Sequence, residues 1–130
     1  MIVVDASAAV EVLLQLDAAD ALMDRLFGGS ESLHAPQLLD VEVAQVIRRY
    51  ALAGDISAAR GAEAVRDLAD LPIARHGHAP LLDRMWRLRS NVTAYDAAYI
   101  ALAEALDAVF VTRDGGLARI PGVRLRVEVI

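Results

Sequence analysis

Four carboxylates in this chain stand where the pattern around them favours burial. Two short apolar runs lead into an aspartate, MIVV into Asp5 and VFVTR into Asp114. Asp96 heads TAYDAAYIALAEAL, the most apolar long stretch of the sequence. Glu42 sits in QLLDVEVAQVIRRY among Leu38, Leu39, Val43, Val46 and Ile47. At about 100° per residue it falls within about 60° of the centre of that apolar stripe, whereas Asp40 lies at the opposite border. Removing a carboxylate from water is costly unless something neutralises it. Each residue has a structural account of its own. Asp5 and Asp114 stand where helix N-caps are favoured, and Glu42 could pair with a buried arginine. Thr93 to Asp96 matches the S/T-x-x-D/E capping box, in which the acid reaches back to the N-cap amide. None of these accounts explains why four acids should be aimed at one end of a sheet.

Carboxylates gathered together repel, so they persist only if a cation neutralises them or a proton is shared. The chain has no cysteine and no well-spaced histidine set, which leaves oxygen ligands and a hard ion, Mg²⁺ or Mn²⁺. Four negative charges would balance two divalent ions. Two-ion carboxylate sites serve phosphoryl transfer, generating hydroxide and steadying an in-line displacement.

The elements that must position these residues can be read in order. MIVV is a buried strand, followed by helices over Ser7–Leu14 and Ala18–Phe27, the second stopped by Gly28 and Gly29. Residues 32–36, SLHAP, read as a second strand, with Pro36 opening a helix to Ala53. Ser57 caps a helix to Leu71. Residues 72–76 give a third strand, and Pro80–Arg89 and Thr93–Leu106 are helical. Residues 108–112 are a strong strand, and a turn of helix follows Asp114. The alternating VRLRVEVI, residues 123–130, predicts a last strand. Strands alternating with helices predict a parallel α/β sheet with helices on both faces, whose ligands sit at the carboxyl ends of the strands.

Composition narrows the possibilities further. A chain of 130 residues, 56% hydrophobic with mean hydropathy +0.39, predicts a single packed domain over residues 1–130. The longest apolar run is broken by Asp96 and Glu104, too short for a membrane span. MIVVDAS has no basic n-region, so the expected location is the cytoplasm. A net charge of −5 weighs against a general nucleic-acid binder. All thirteen positive residues are arginines. The absent lysine removes aspartyl-phosphate phosphatases and receiver domains, which also need a second acid where Ser7 stands. No G-x-x-x-x-G-K-S/T run is present for a P-loop.

MIVVDAS, PQLLDVEVAQVIRR, NVTAYDAAYIALAEAL and VFVTRDGGLAR resemble, in order and spacing, the motifs of PIN-domain ribonucleases, and most closely the VapC toxins of type II toxin–antitoxin systems. The resemblance spans essentially the whole chain. It implies a three-layer α/β/α sandwich around a short parallel sheet. It also implies cleavage of RNA with Mg²⁺, Mn²⁺ being possible, inhibition by a cognate VapB-type antitoxin, and a homodimer. DNA would be met only through the antitoxin. The family's acidic quartet falls on Asp5, Glu42, Asp96 and Asp114, with Ser7 and Thr112 at supporting hydroxyl positions. A PIN nuclease of RNA processing and a non-catalytic PIN scaffold stay open as alternatives.

Other residues draw plainer expectations. His76 and His78 read as a solvated loop and His34 as a partly buried core histidine. Trp86 reads as core or dimer packing, Arg84, Arg87 and Arg89 as a solvated face, and Arg113 as solvated surface. Val12, Leu13, Leu22, Met23, Leu26 and Phe27 exceed what one core-facing stripe needs. By the same resemblance they could receive an amphipathic antitoxin helix.

Overall fold

The computed structural model describes residues 1–130. Five strands form one parallel sheet: β1 (Ile2–Val4), β2 (Leu33–Pro36), β3 (Ile73–His76), β4 (Val109–Thr112) and β5 (Val127–Val129). Their spatial order is β3-β2-β1-β4-β5. Six helices surround the sheet: α1 (Ala6–Leu14), α2 (Ala19–Phe27), α3 (Leu38–Leu52), α4 (Ala58–Asp70), α5 (Leu82–Arg87) and α6 (Ala94–Leu106). Helices α1 to α4 pack on one another, while α5 pairs with α6, which lies against β1, β2 and β4. The result is the expected α/β/α sandwich.

Burial explains the assignment of strands. Ile2, Val3 and Val4 are fully buried, and β4 is buried along its whole length, as a central parallel strand covered on both faces must be. Helix α6 is unusual in the same way. Every residue from Ala97 to Ala103 is buried, so the helix is apolar all round because it sits in the middle of a layer.

The sheet corrects two expected boundaries. Pro36 closes β2 in register with His76 instead of opening the next helix, which begins at Leu38 behind Gln37. Pairing of β1 with β2 ends at Val3 and His34, so proline's missing N–H removes no bond of that ladder. The last strand is confined to Val127–Val129, paired with Phe110 to Thr112; before it only the Arg126 carbonyl meets β4, accepting from the Phe110 amide.

The order of strands places the switch point between β1 and β4. Numbering runs outward from β1 to one edge and from β4 to the other, which opens a crevice above their carboxyl ends. Asp5 follows β1 directly and Asp114 lies two residues beyond β4.

Candidate active site

Asp5 is 92% buried and occupies the N-cap position of α1, yet its side chain accepts no backbone amide there. Its Oδ2 accepts instead from Ser7 Oγ at 2.9 Å and from Thr112 Oγ1 at 2.6 Å. Each hydroxyl accepts in turn from an amide: Ser7 Oγ from Arg113 N at 3.0 Å, Thr112 Oγ1 from Asp114 N at 2.9 Å. Amide to hydroxyl to carboxylate is a polarised relay, in which each bond strengthens the next. It fixes the carboxylate with one oxygen and leaves Oδ1 without a protein donor. Ser7 and Thr112 thus both hydrogen-bond Asp5 at the switch point.

Glu42 lies in the first turns of α3, half-buried, and no arginine accompanies it. Its Oε1 is buried with no hydrogen-bond partner, and so is the hydroxyl of Tyr99. Burial raises the Glu42 carboxyl above its usual range, the charges of Asp5 and Asp96 add to the rise, and the phenol of Tyr99 opposes it. The ion pair that Glu42 might have made belongs to Asp40, which binds Arg75 at 3.0 Å. Two positions along the helix separate a structural acid from an unpaired one.

Asp96 and Thr93 form only half of a capping box. Thr93 Oγ1 accepts from the Asp96 amide at 3.2 Å, while no bond runs back from the Thr93 amide to the Asp96 carboxylate. That carboxylate is also raised, by burial first and then by the charges of Asp5 and Asp114, against a lowering by Thr93. Asp114 is the most exposed of the four. Its Oδ1 accepts from Gly116 N at 2.8 Å, the expected cap on the 3₁₀ turn Gly115–Ala118, and its other oxygen is free.

The structure thus brings all four acids to one edge, where Glu42 and Asp96 feel the charges of the others and none of the four is paired with a cation. Mutual repulsion and an orphaned buried oxygen are what a site for a divalent ion with hard oxygen ligands would show in the absence of the ion. No three of the carboxylates close on a common point as ligands of one ion would.

Tyr99 is the functional-site residue that the sequence reading missed. It is 1% exposed, stacks on Phe110 with ring centroids 6.1 Å apart, and has its phenol pushed up by burial and by Glu42. The signal was available: Tyr99 follows Asp96 by three residues and therefore shares its helix face.

Several peripheral expectations change. Arg113 is held by Glu11 and by the carbonyl of Ile130 instead of being free in solvent. Arg84 forms a two-point bond to Glu104 at 2.7 and 2.9 Å. His76 belongs to β3 and bonds His34 at 2.9 Å, and His78 accepts from the Leu38 amide at the start of α3 at 3.1 Å. The pair of histidines is therefore built into the sheet edge. Trp86 is 67% exposed and is not core.

A parallel sheet with an acidic crown at its switch point defines a class, and residues 2–123 match the family described as PIN domain. VapC12 of Mycobacterium tuberculosis is 42% identical over 130 residues, spanning 100% of this chain and 99% of the relative. VapC9 of the same species is 43% identical over 114 residues, or 88% and 86% of the two chains. The chain belongs to the PIN-domain family, among its VapC ribonucleases. The fold is also that of VapBC2 from Rickettsia felis, solved bound to a DNA fragment from their promoter. That structure has a TM-score of 0.71 at 15% identity and covers 99% of this chain and 98% of its own.

Proposed function

We propose that this protein is the ribonuclease toxin of a VapBC-type pair, cutting RNA phosphodiester bonds at Asp5, Glu42, Asp96 and Asp114 with a divalent cation, Mg²⁺ or Mn²⁺. The observation that carries the reading is the gathering of four carboxylates, none of them ion-paired, at the β1–β4 switch point. A divalent ion held there would supply hydroxide at neutral pH and positive charge for the phosphoryl oxygens.

The protein's own contribution is positional. Ser7 and Thr112 hold Asp5 in one orientation with Oδ1 presented to the crevice. Glu42 offers an oxygen already stripped of water and of hydrogen bonds, so no internal bond must break before it takes a ligand. Tyr99 and Phe110 pack beneath the acids and keep solvent from their lower side. The chain needs no side-chain nucleophile, and the hydroxyls of Ser7 and Thr112 are committed to Asp5. Asp5→Asn and Asp96→Ala are expected to abolish RNA cleavage while leaving the circular dichroism spectrum and cooperative unfolding of the parent. Cleavage at the parent rate by either variant would refute the reading.

A groove between α1, α2 and α4 supports the antitoxin half of the proposal. It measures about 790 Å³ and is lined by Val12, Leu16, Met23, Phe27 and Leu71, with Arg60 and Glu63 at its rim. Met23 and Phe27 are 45% and 36% exposed, a large apolar area for a helix otherwise packed on the core. An amphipathic antitoxin helix fits that chemistry. Met23→Asp with Phe27→Asp should lose co-purification with the antitoxin and keep the nuclease, because neither side chain reaches the acids.

A further inference from the structure

One hollow flanks Asp96, and a second adjoins it through shared residues. The first, about 660 Å³, is lined by Arg89, Thr93, Asp96 and Arg119 among others. The second, about 350 Å³ and mostly apolar, is lined by Leu82, Met85 and Trp86 and shares Arg89 and Thr93 with the first. Together they make a continuous ledge from an exposed aromatic surface to a carboxylate of the acidic crown.

The side chains of the ledge are unusually free. Trp86 is 67% exposed and Leu82 is 56% exposed, on a helix of only six residues that buries none of them. Elsewhere on that helix the arginines are engaged: Arg84 with Glu104 and Arg87 with Asp83. Arg89 has no carboxylate partner. Its guanidinium lies over the Trp86 ring at 4.6 Å from the centroid, and its Nη1 donates to the Trp86 carbonyl. Arg119, across the first hollow, forms no ion pair either. A cation stacked on an indole beside an apolar recess, with an unpaired cation across the neighbouring hollow, matches one nucleotide: a planar base and its phosphate. A strongly acidic centre also needs positive charge beside it to admit a polyanion, and these two arginines supply it at its rim.

We infer that the Trp86–Arg89–Arg119 ledge is a subsite for one unpaired nucleotide of the RNA, next to the bond that is cut. The base stacks on Trp86 and its phosphate lies between Arg89 and Arg119. This rests on the nuclease reading for the identity of the polymer. The ledge selects single-stranded RNA, because a base held in a duplex has no free face to offer.

Trp86 is the only tryptophan, so its fluorescence reports on the ledge alone. The test titrates the full chain, in EDTA so that nothing is cut, with a single-stranded RNA of about ten nucleotides of mixed sequence and with the same strand in a duplex. Saturable quenching by the single strand, with much weaker quenching by the duplex, supports the subsite. Trp86→Ala should weaken binding of the single strand, measured by anisotropy of a labelled RNA, by roughly tenfold or more, and Trp86→Phe should recover most of it. Arg89→Ala and Arg119→Ala should each lower the slope of log affinity against log salt by about 0.7, as loss of one phosphate contact on a single strand does. With Mg²⁺ restored, Trp86→Ala should raise KM more than it lowers kcat. An unchanged affinity and KM in Trp86→Ala, beside normal cleavage, would overturn the subsite and leave the nuclease standing. Quenching by RNA without any cleavage by the parent would instead overturn the nuclease and keep the ledge. If emission follows protein concentration and dimerisation by sedimentation, and RNA leaves it unmoved, the ledge is an interface between copies and the inference fails.

Discussion

Two groups of acidic residues in this protein differ in company. Asp40, Glu104 and Glu128 each meet an arginine, at 3.0, 2.7 and 2.5 Å respectively. Asp5, Glu42, Asp96 and Asp114 meet hydroxyls, amides or nothing at all. The first population ties elements together: Arg75 joins Asp40 of α3 to the carbonyls of Leu68, Leu71 and Ile73 at the end of α4. The second forms no ion pair and costs stability, since partly buried like charges repel. A fold that has thirteen arginines and aims none of them at these four acids has left that charge for something outside the chain.

The largest effect that would break this contrast is catalytic. Glu42→Gln is expected to lower cleavage by at least about a thousandfold, the scale on which loss of a preorganised charge acts, while Glu104→Gln changes it by less than about twofold. Comparable losses in both would erase the distinction. Next comes the response to metal. Mg²⁺ or Mn²⁺ should raise Tm of the parent, by the equivalent of about 2.7 kcal/mol at a hundred times Kd, and should not do so for Asp5→Asn. A smaller effect has the opposite origin. Arg75→Ala should lower stability by about 2 kcal/mol in urea, because Leu68, Leu71 and Asp40 lose their donor together. Its cleavage rate should stay at the parent level.

The smallest effect is the most specific to the comparison. Burial and neighbouring charge raise Asp96 and Glu42, so the native state holds their protons more tightly than the unfolded chain does. Stability of the metal-free protein then falls as pH rises from the ordinary carboxyl range, 3.8 for aspartate, through the raised native values. Above that window both are charged and the penalty is complete. Asp96→Asn should therefore raise Tm of the metal-free protein at pH 7 by a few degrees, and the gain should disappear below about pH 4. Substitution in the paired population, Glu104→Gln, should give no such gain. Metal-free carboxyl titrations by NMR would show the same thing directly, as normal values throughout would dissolve the cluster.

Much of this was legible in the residues themselves. The strands β1 and β4 are dictated by continuous apolar runs, and each run ends in the acid that matters, so strand and site announce one another. Glu42 was legible because helical periodicity puts it inside an apolar stripe. What the sequence could not show was pairing across the fold. The bond between His34 and His76 joins neighbouring strands separated by 42 positions, and that between Arg84 and Glu104 joins two helices. Local pattern gives no hint of either: His76 and Arg84 read as solvated and His34 as a partly buried core residue. Pro36 misled for a related reason. Its preference for the first turn of a helix is real, but its place in the register with His76 decided the outcome. Tyr99 was overlooked because an aromatic residue in an apolar helix looks like core. It is core, and only its hydroxyl belongs to the site.

The central claim is that the four unpaired acids exist to hold a divalent cation that hydrolyses RNA. The ends of the cleaved RNA, determined in EDTA and after Mg²⁺ is restored, test it most directly. Attack by metal-activated water with the 3′ oxygen as leaving group predicts no cleavage in EDTA, cleavage on adding Mg²⁺, and products with 5′-phosphate and 3′-hydroxyl ends. Undiminished cleavage in EDTA yielding 2′,3′-cyclic phosphates would mean that the ribose hydroxyl is the nucleophile and would contradict the account.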